Sequence, residues 1–278
     1  MQISSSHDAD LLNLKNILKK MSDILVIIPL HKFDDDVKPL LNDAVNSVPA
    51  DIDIVVSASN AIVKDVTEAL KDRKNVKVSG TDATDFPTLV NSAVNDNYKW
   101  FSILEYDDEY TPIWFNNVKT YIEFKPETSV FLPLEDLVDF NTKEYAGIGN
   151  EAPWASSFSN EIGVIDLDCL QNFFEFYLTG SVFNTADWKE LGGLKTNIPV
   201  YFWYEFLLRL TNKGKGVFVI PKVGYAHYLG RKDSLLENYR ATISDEEARY
   251  WMNVAKKEYF FIKQREVAPY SKEEVKED

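Results

Sequence analysis

Hydrophobic positions in this chain fall into short unbroken runs, separated by stretches in which they recur every three or four residues. The first pattern is that of strands buried on both faces, the second that of helices with one apolar side. Leu11, Leu14, Leu18 and Met21 stand at helical spacing, so residues 8–21 are predicted to form a short amphipathic helix within an N-terminal appendage, residues 1–22. Asp23–Leu30 (D-I-L-V-I-I-P-L) is the first convincing buried strand, stopped by Pro29, which has no N–H to give to a ladder. Asp34, Asp35 and Asp36 sit where a helix N-terminus favours negative charge, and Val37, Leu40, Leu41, Ala44 and Val45 supply that helix's apolar face. The alternation continues with a strand at Ile52–Val56, a helix carrying Ile62, Val63, Val66, Ala69 and Leu70, and a short strand at Asn75–Val78. Asp85-Phe86-Pro87 opens a helix with Leu89, Val90, Ala93 and Val94 inward, a strand follows at residues 99–104, and Thr111-Pro112 opens a helix to about Phe124. Strand–helix repetition at this spacing predicts a mostly parallel, doubly wound sheet with right-handed crossovers.

Near Val130 the pattern changes. Ser129–Leu134 is predicted as a strand, whereas residues 135–165 are irregular and rich in Asn, Gly, Ser and aromatic residues, as expected of a long functional loop. Val182–Asn184 is a short strand, and Thr185–Leu191 a helix ended by Gly192-Gly193. Val200–Asn212 is a mostly buried helix, Gly216–Ile220 a strand leading to Pro221, and Ser244-x-x-Glu247 a capping box opening a last helix. The tail from Ser271 is charged and expected to be disordered.

Composition narrows the function. A formal charge of −14 would repel a phosphate backbone, so sequence-independent binding to nucleic acid is disfavoured. One cysteine, Cys169, cannot form an internal disulfide, and three scattered histidines beside it do not supply a Cys/His zinc cluster. No basic region precedes an apolar core at the N-terminus, and the longest apolar runs fall far short of the roughly 20 residues needed to cross a bilayer. The expectation is a soluble, cytoplasmic protein.

Chemistry concentrates at Lys99–Tyr110, K-W-F-S-I-L-E-Y-D-D-E-Y. The apolar strand stops in Glu105, Asp107, Asp108 and Glu109, and a buried strand that delivers carboxylates at its C-terminal end puts hard oxygen ligands where α/β sheets place their ligands. Glu105 and Asp107 are two apart, so an extended chain points them the same way. Spacing alone leaves these acids as a divalent-ion site or as a solvated acidic loop.

The order of features resembles a GT-A type glycosyltransferase similar to the family 2 group. It begins with the strand V-I-I-P-L-H, passes to the acidic D-x-D-D-like motif L-E-Y-D-D, then to F-N-T-A-D-W-K-E-L-G-G-L, to the helix Y-E-F-L-L-R-L and to the late Y-A-H-Y segment. The resemblance covers residues 23–235, with a nucleotide-sugar-binding half at 23–128 and an acceptor half at 129–235; a C-terminal helix at 236–270 and the tail at 271–278 follow. It implies a Rossmann-like α/β sheet, transfer from a nucleotide-diphosphate sugar (UDP-sugar by default) to an acceptor hydroxyl, and Mn²⁺ or Mg²⁺ to offset charge on the leaving diphosphate. The acceptor, a polysaccharide, a protein or a modified nucleobase, stays open.

By the same resemblance the metal ligands are Glu105, Asp107 and His227, with Asp108 on metal or sugar. Pro29, His31, Lys32 and Ser57 are the nucleotide side, and Arg231 and Lys232 close over the diphosphate. For a general base it offers Glu205, with Asp187 in reserve; the alternative for Glu205 is an ion pair with Arg209, one helical turn away. The family base more often stands six residues before the arginine, where this chain has Trp203. Trp188, Trp203 and Tyr204 are either sugar-stacking faces or core. Where the family commonly has an acid after the second strand, this chain has Ser57-Ala58-Ser59-Asn60, which leaves Asp82 or these polar groups to meet the nucleotide. Two other classes compete: a nucleotidyltransferase, disfavoured because I-P-L-H-K-F-D-D-D lacks a Gly-rich phosphate loop, and a degenerate glycosyltransferase-like domain that only binds.

Overall fold

The computed structural model describes residues 23–231, 234 and 242–267. The helix expected at 8–21, Lys232 and the tail from Ser271 lie outside these residues. Among the described residues nine strands form one sheet: β1 (Ile24–Leu30), β2 (Asp53–Ser59), β3 (Val76–Thr81), β4 (Trp100–Ile103), β5 (Glu109–Tyr110), β6 (Thr128–Asp139), β7 (Tyr145–Gly149), β8 (Val182–Asn184) and β9 (Gly216–Leu229). Their order is β3-β2-β1-β4-β8-β6-β9-β5, with β7 paired to β6.

β1 explains why the chain folds around its N-terminal half. All seven of its residues are buried. Ile24, Val26, Ile28 and Leu30 join one cluster with Leu41, Val45, Val66 and Trp114, while Leu25 and Ile27 join the other with Val90, Phe101 and Phe183. Both faces are therefore covered by helices, and each such side chain contributes about 1.5–3 kcal/mol on burial. Local signals set the helix starts. Asp34 Oδ1 accepts from the Asp36 and Val37 N–H groups (3.1 and 2.9 Å) to open the helix Val37–Ser47, and Asp85 accepts from Thr88 N at 2.9 Å to open Phe86–Ala93. Asn184 does the same for Thr185–Glu190.

The sheet is mixed. β1 pairs in parallel with β2 and β4, and β2 with β3. β4 and β6 both run antiparallel to β8, so they run parallel to each other, and β9 runs with β6. The C-terminal ends of these six strands thus share one edge.

The two longest strands depart most from expectation. β6 continues five residues past Leu134 into the stretch read as irregular loop, and β9 continues past Pro221 to Leu229. Pro221 is accommodated because the β6–β9 register shifts between Leu132 and Leu134, where no ladder bond is demanded of it. Gly224, in β9, allows this strand to lie close over Trp114. A Cβ there would overlap the Trp114 ring and stand 2.9 Å from Pro133 Cβ. Gly224→Ala should therefore destabilise the fold by about 1–3 kcal/mol, measured by urea denaturation; an unchanged midpoint would contradict this packing.

Candidate active site

At the end of β4 the Leu104 N–H donates to Ile27 O (2.9 Å), and the chain then turns back, Asp108 N donating to Glu105 O (3.2 Å), into the two-residue β5 beside β9. This turn folds the acids inward. Asp107 is 9% exposed and Asp108 2%, so the stretch is not a solvated loop.

Asp107 and Asp108 meet defined partners from β9 or beyond. Asp107 Oδ2 accepts from Arg231 Nε at 2.6 Å, and the same guanidinium donates to the Tyr106 hydroxyl and lies 4.8 Å from the centre of its ring. Gly230, at φ 77°, turns the chain at the end of β9 immediately before Arg231. Asp108 Oδ1 accepts from Tyr228 N (2.8 Å), and its Oδ2 stands 3.1 Å from His227 Nδ1. Glu135 Oε2 is 3.9 Å from that same nitrogen. Leu137 pairs with His227 across β6 and β9, so Glu135, two residues earlier, points to the same face.

The electrostatics follow from crowding negative charge in a dry place. Burial, then Asp108 and Asp107, push the Glu105 carboxyl up to about 8. Burial, then Asp108, raises Asp107 against the opposing pull of Arg231. Glu135 is raised well above the usual carboxylate range, chiefly by burial. Burial disfavours charge on His227, but Asp108, Glu135 and Glu105 outweigh it and hold the imidazole up at about 10.

The nucleotide-side residues line the adjoining strand ends. Pro29 pairs with Ser57 across β1 and β2, and Ser57 Oγ lies 3.3 Å from Ser92 Oγ. His31 has its ring 6.0 Å from that of Tyr106; burial, Lys32 and Arg231 push it down to about 4, so it is a neutral imidazole. Lys32 Nζ stands 3.8 Å from Asp34 Oδ2. Asn60 Nδ2 donates to Asp82 Oδ1 at 2.6 Å, tying the loops after β2 and β3 together. A cavity of about 60 Å³ lies against Asp107, Asp108 and Glu109. A larger one, about 390 Å³, is lined by Asp166, Lys215 and Val217 at the opposite edge of the sheet, away from the carboxylate cluster.

The two carboxylates expected to act as a base lie away from this cluster. Glu205, 1% exposed, accepts from Arg209 Nε (3.0 Å) and Nη2 (2.8 Å) and from the Tyr259 hydroxyl (2.9 Å), and pairs with Lys195 Nζ at 2.9 Å. Arg209 also donates to the Leu191 and Gly193 carbonyls. Glu205 is therefore the hub of an ion-pair network that ties the Gly192-Gly193 turn and the C-terminal helix to Phe202–Asn212. Asp187 accepts from Ser129 Oγ (2.6 Å) and pairs with Lys215 Nζ (2.5 Å), groups at the N-terminal ends of β6 and β9, opposite the acid-bearing edge.

Of the three aromatics expected at the acceptor, Trp188 packs among Phe101, Phe183 and Phe206, and Tyr204 donates its hydroxyl to Leu170 O (2.7 Å); both are core. Trp203 is half-buried and stacks on Phe183 with its edge toward Phe86, which opens the helix after β3.

Glu135 was missed. The apolar alternation suggested that β6 ended at Leu134, and only the register with β9 brings Glu135 to His227. Tyr106, the hidden "x" of the D-x-D-like motif, was missed as a clamp on Arg231.

The fold family implies a divalent metal. Both Glu135 carboxylate oxygens are buried without hydrogen-bond partners, and Asp108 Oδ2 and His227 Nδ1 have only each other, at 3.1 Å. Carboxylate oxygen and imidazole nitrogen suit Mn²⁺ or Mg²⁺, so the residues fit such an ion in kind. As the side chains stand, no three His, Cys, Asp or Glu among the described residues are grouped to hold one.

The mixed sheet flanked by helices, with these carboxylates and His227 near the C-terminal ends of its parallel strands, is the GT-A type of fold. No protein-family model and no curated protein sequence matches the chain. Among solved structures it is similar to S. aureus TarS 1–349 in complex with UDP-GlcNAc, at TM-score 0.62 and 16% identity, over 84% of this chain and 65% of that one. It is likewise similar to S. aureus TarS (TM-score 0.60, 15% identity, 86% and 39% covered) and to TarS 1–349 in complex with UDP (0.55, 15%, 81% and 68%). The chain thus spans 39–68% of the length of these TarS chains, and at this identity the likeness establishes the fold. Among the described residues no helix is long and apolar enough to cross a membrane.

Proposed function

We propose that this protein is a glycosyltransferase that takes a sugar from a nucleotide-diphosphate donor, UDP-linked by analogy with the TarS complexes, and passes it to an acceptor hydroxyl. The observation that carries this reading is the cluster of buried Asp107, Asp108, Glu135 and Arg231 with half-buried Glu105 and His227 at the ligand edge of a GT-A sheet. Ser57, His31 and Lys32, with Asn60 and Asp82 beside them, would receive the nucleoside. Asp107 and His227, with Asp108 and Glu105 beside them, would hold Mn²⁺ or Mg²⁺, which when bound offsets charge on the departing diphosphate. Arg231 would bind the diphosphate through its planar fork.

A second reading is favoured by one observation. Trp203 stands in the helix at the position where the resemblance leads one to look for a base, and Glu205 is held by four donors. A donor-binding domain without transfer activity fits that arrangement.

Thermal unfolding with UDP and UDP-GlcNAc, each with Mn²⁺ and with chelator, tests the donor site, because a ligand of the native state raises the midpoint by mass action. A metal-dependent rise is expected, and Asp107→Ala should abolish it. The same rise in the variant would remove Asp107 from the metal site. Hydrolysis of UDP-GlcNAc separates the two readings: turnover supports the enzyme, and binding without turnover supports the binding domain.

A further inference from the structure

We propose that Arg231 and a divalent cation are alternative partners of Asp107, so that metal binds this chain weakly until a diphosphate draws Arg231 away. The exclusion of metal by Arg231 stands on the side-chain geometry; only its relief by diphosphate rests on the donor reading above.

Arg231 is 8% exposed although it carries a full charge, and it is fixed on three sides. Nε donates to Asp107 Oδ2 at 2.6 Å, Nη2 donates to the Tyr106 hydroxyl, and the guanidinium carbon lies 4.8 Å from the centre of the Tyr106 ring. Asp107 has little exposed surface of its own, so a cation reaching Oδ2 must displace the guanidinium or sit beside it. A fixed positive charge at that distance opposes a second one strongly where water is scarce.

The surroundings keep the place attractive to cations all the same. Both Glu135 oxygens have no hydrogen-bond partner, Asp108 Oδ2 has only His227 Nδ1 at 3.1 Å, and Glu105 adds a further carboxyl. The cluster thus gathers four carboxyl groups, Glu105, Asp107, Asp108 and Glu135, against two cationic side chains, Arg231 and His227, so carboxyl oxygens remain for a divalent cation that displaces Arg231 and the carboxyl protons. Arg231 follows Gly230, whose φ of 77° lies in a region open to glycine without steric penalty, so the backbone joint before Arg231 is unhindered by a Cβ. A diphosphate offers the guanidinium a bidentate anionic partner at least as good as the one it leaves.

The test needs no donor. Mn²⁺ alone is titrated into the full chain, and free Mn²⁺ is followed by electron paramagnetic resonance. Arg231→Gln is expected to bind Mn²⁺ tighter than the wild type by a factor on the order of ten or more, the worth of one charge-assisted hydrogen bond. Adding Asp107→Asn to that variant should erase the gain. Equal or weaker binding by Arg231→Gln, including no binding by either protein, overturns the proposal. Should Arg231→Gln not fold, Tyr106→Phe decides: it keeps the charge but loses the Nη2 bond, and must bind Mn²⁺ tighter than wild type for the proposal to stand. UDP then tests the second half. It should strengthen Mn²⁺ binding more in the wild type than in Arg231→Gln. No effect of UDP, with the gain in Arg231→Gln intact, would overturn the diphosphate half and the donor reading while leaving the Arg231–metal exclusion in place.

Discussion

Glu205→Gln is expected to lower stability by about 3–5 kcal/mol in urea denaturation, the usual loss when one partner of a buried ion pair is removed and the other is left uncompensated. Arg209 and Lys195 would each lose their carboxylate partner at this position, and the single oxygen that Gln keeps would have to serve Arg209, Lys195 and Tyr259 together. The double variant Glu205→Leu, Arg209→Met should recover only part of the loss, because Arg209 also holds the Leu191 and Gly193 carbonyls, which would be left without that donor. The rise in unfolding midpoint on adding UDP with Mn²⁺ should be the same size in Glu205→Gln as in the wild type, since none of these contacts reaches the carboxylate cluster. If instead the variant kept full stability and lost sugar transfer, the network would be incidental and Glu205 would return as the base.

That network illustrates what the sequence could and could not tell. The (i, i+4) spacing of Glu205 and Arg209 announced an ion pair, whereas Lys195 and Tyr259 come from turns and helices whose approach no local pattern reveals. The strand–helix alternation of the first half was legible because β1, β2 and β4 bury both faces or nearly so, and their helices keep one apolar side. The second half was less legible. β6 and β9 are long, interrupted by prolines at 133 and 221, and cross a register shift, so their continuation looked like loop.

The acidic stretch was found, but the reason for its burial was not. β5 has two residues and exists only because β9 extends to meet it. Once that pairing forms, Tyr228 N and Arg231 Nε become the partners of Asp108 and Asp107. Asp187 lies apart from the acids for a related reason: β8 runs against its neighbours, and the helix it feeds starts at the opposite edge of the sheet. Antiparallel insertion of a three-residue strand leaves no periodic mark in the sequence.

His227→Asn, studied in chelator without nucleotide, should cost stability on the order of 2–4 kcal/mol at pH 6 and progressively less toward pH 10. The imidazole faces Asp108 from the turn after β4 and Glu135 from β6, with Glu105 acting from further away. Burial works against its charge, yet these acids hold it at about 10, above its ordinary 6.5. A basic group raised on folding contributes fully below its unfolded value and loses that contribution as pH rises through its folded value. The window is therefore pH 6.5 to about 10, and the wild-type advantage over the variant must shrink across it. Glu105 pulls the same way at lower pH. Raised to about 8, it stays protonated in the folded chain after the unfolded chain has ionised, so stability falls as pH climbs from its ordinary value toward 8. Glu105→Gln should flatten that lower segment and leave the His227 segment standing. A difference between wild type and His227→Asn that stayed constant from pH 6 to 10 would mean that the folded imidazole is uncharged. Asp108 and Glu135 would then face each other with no cation from β9 between them, and the cluster would need another source of positive charge to stay buried at all.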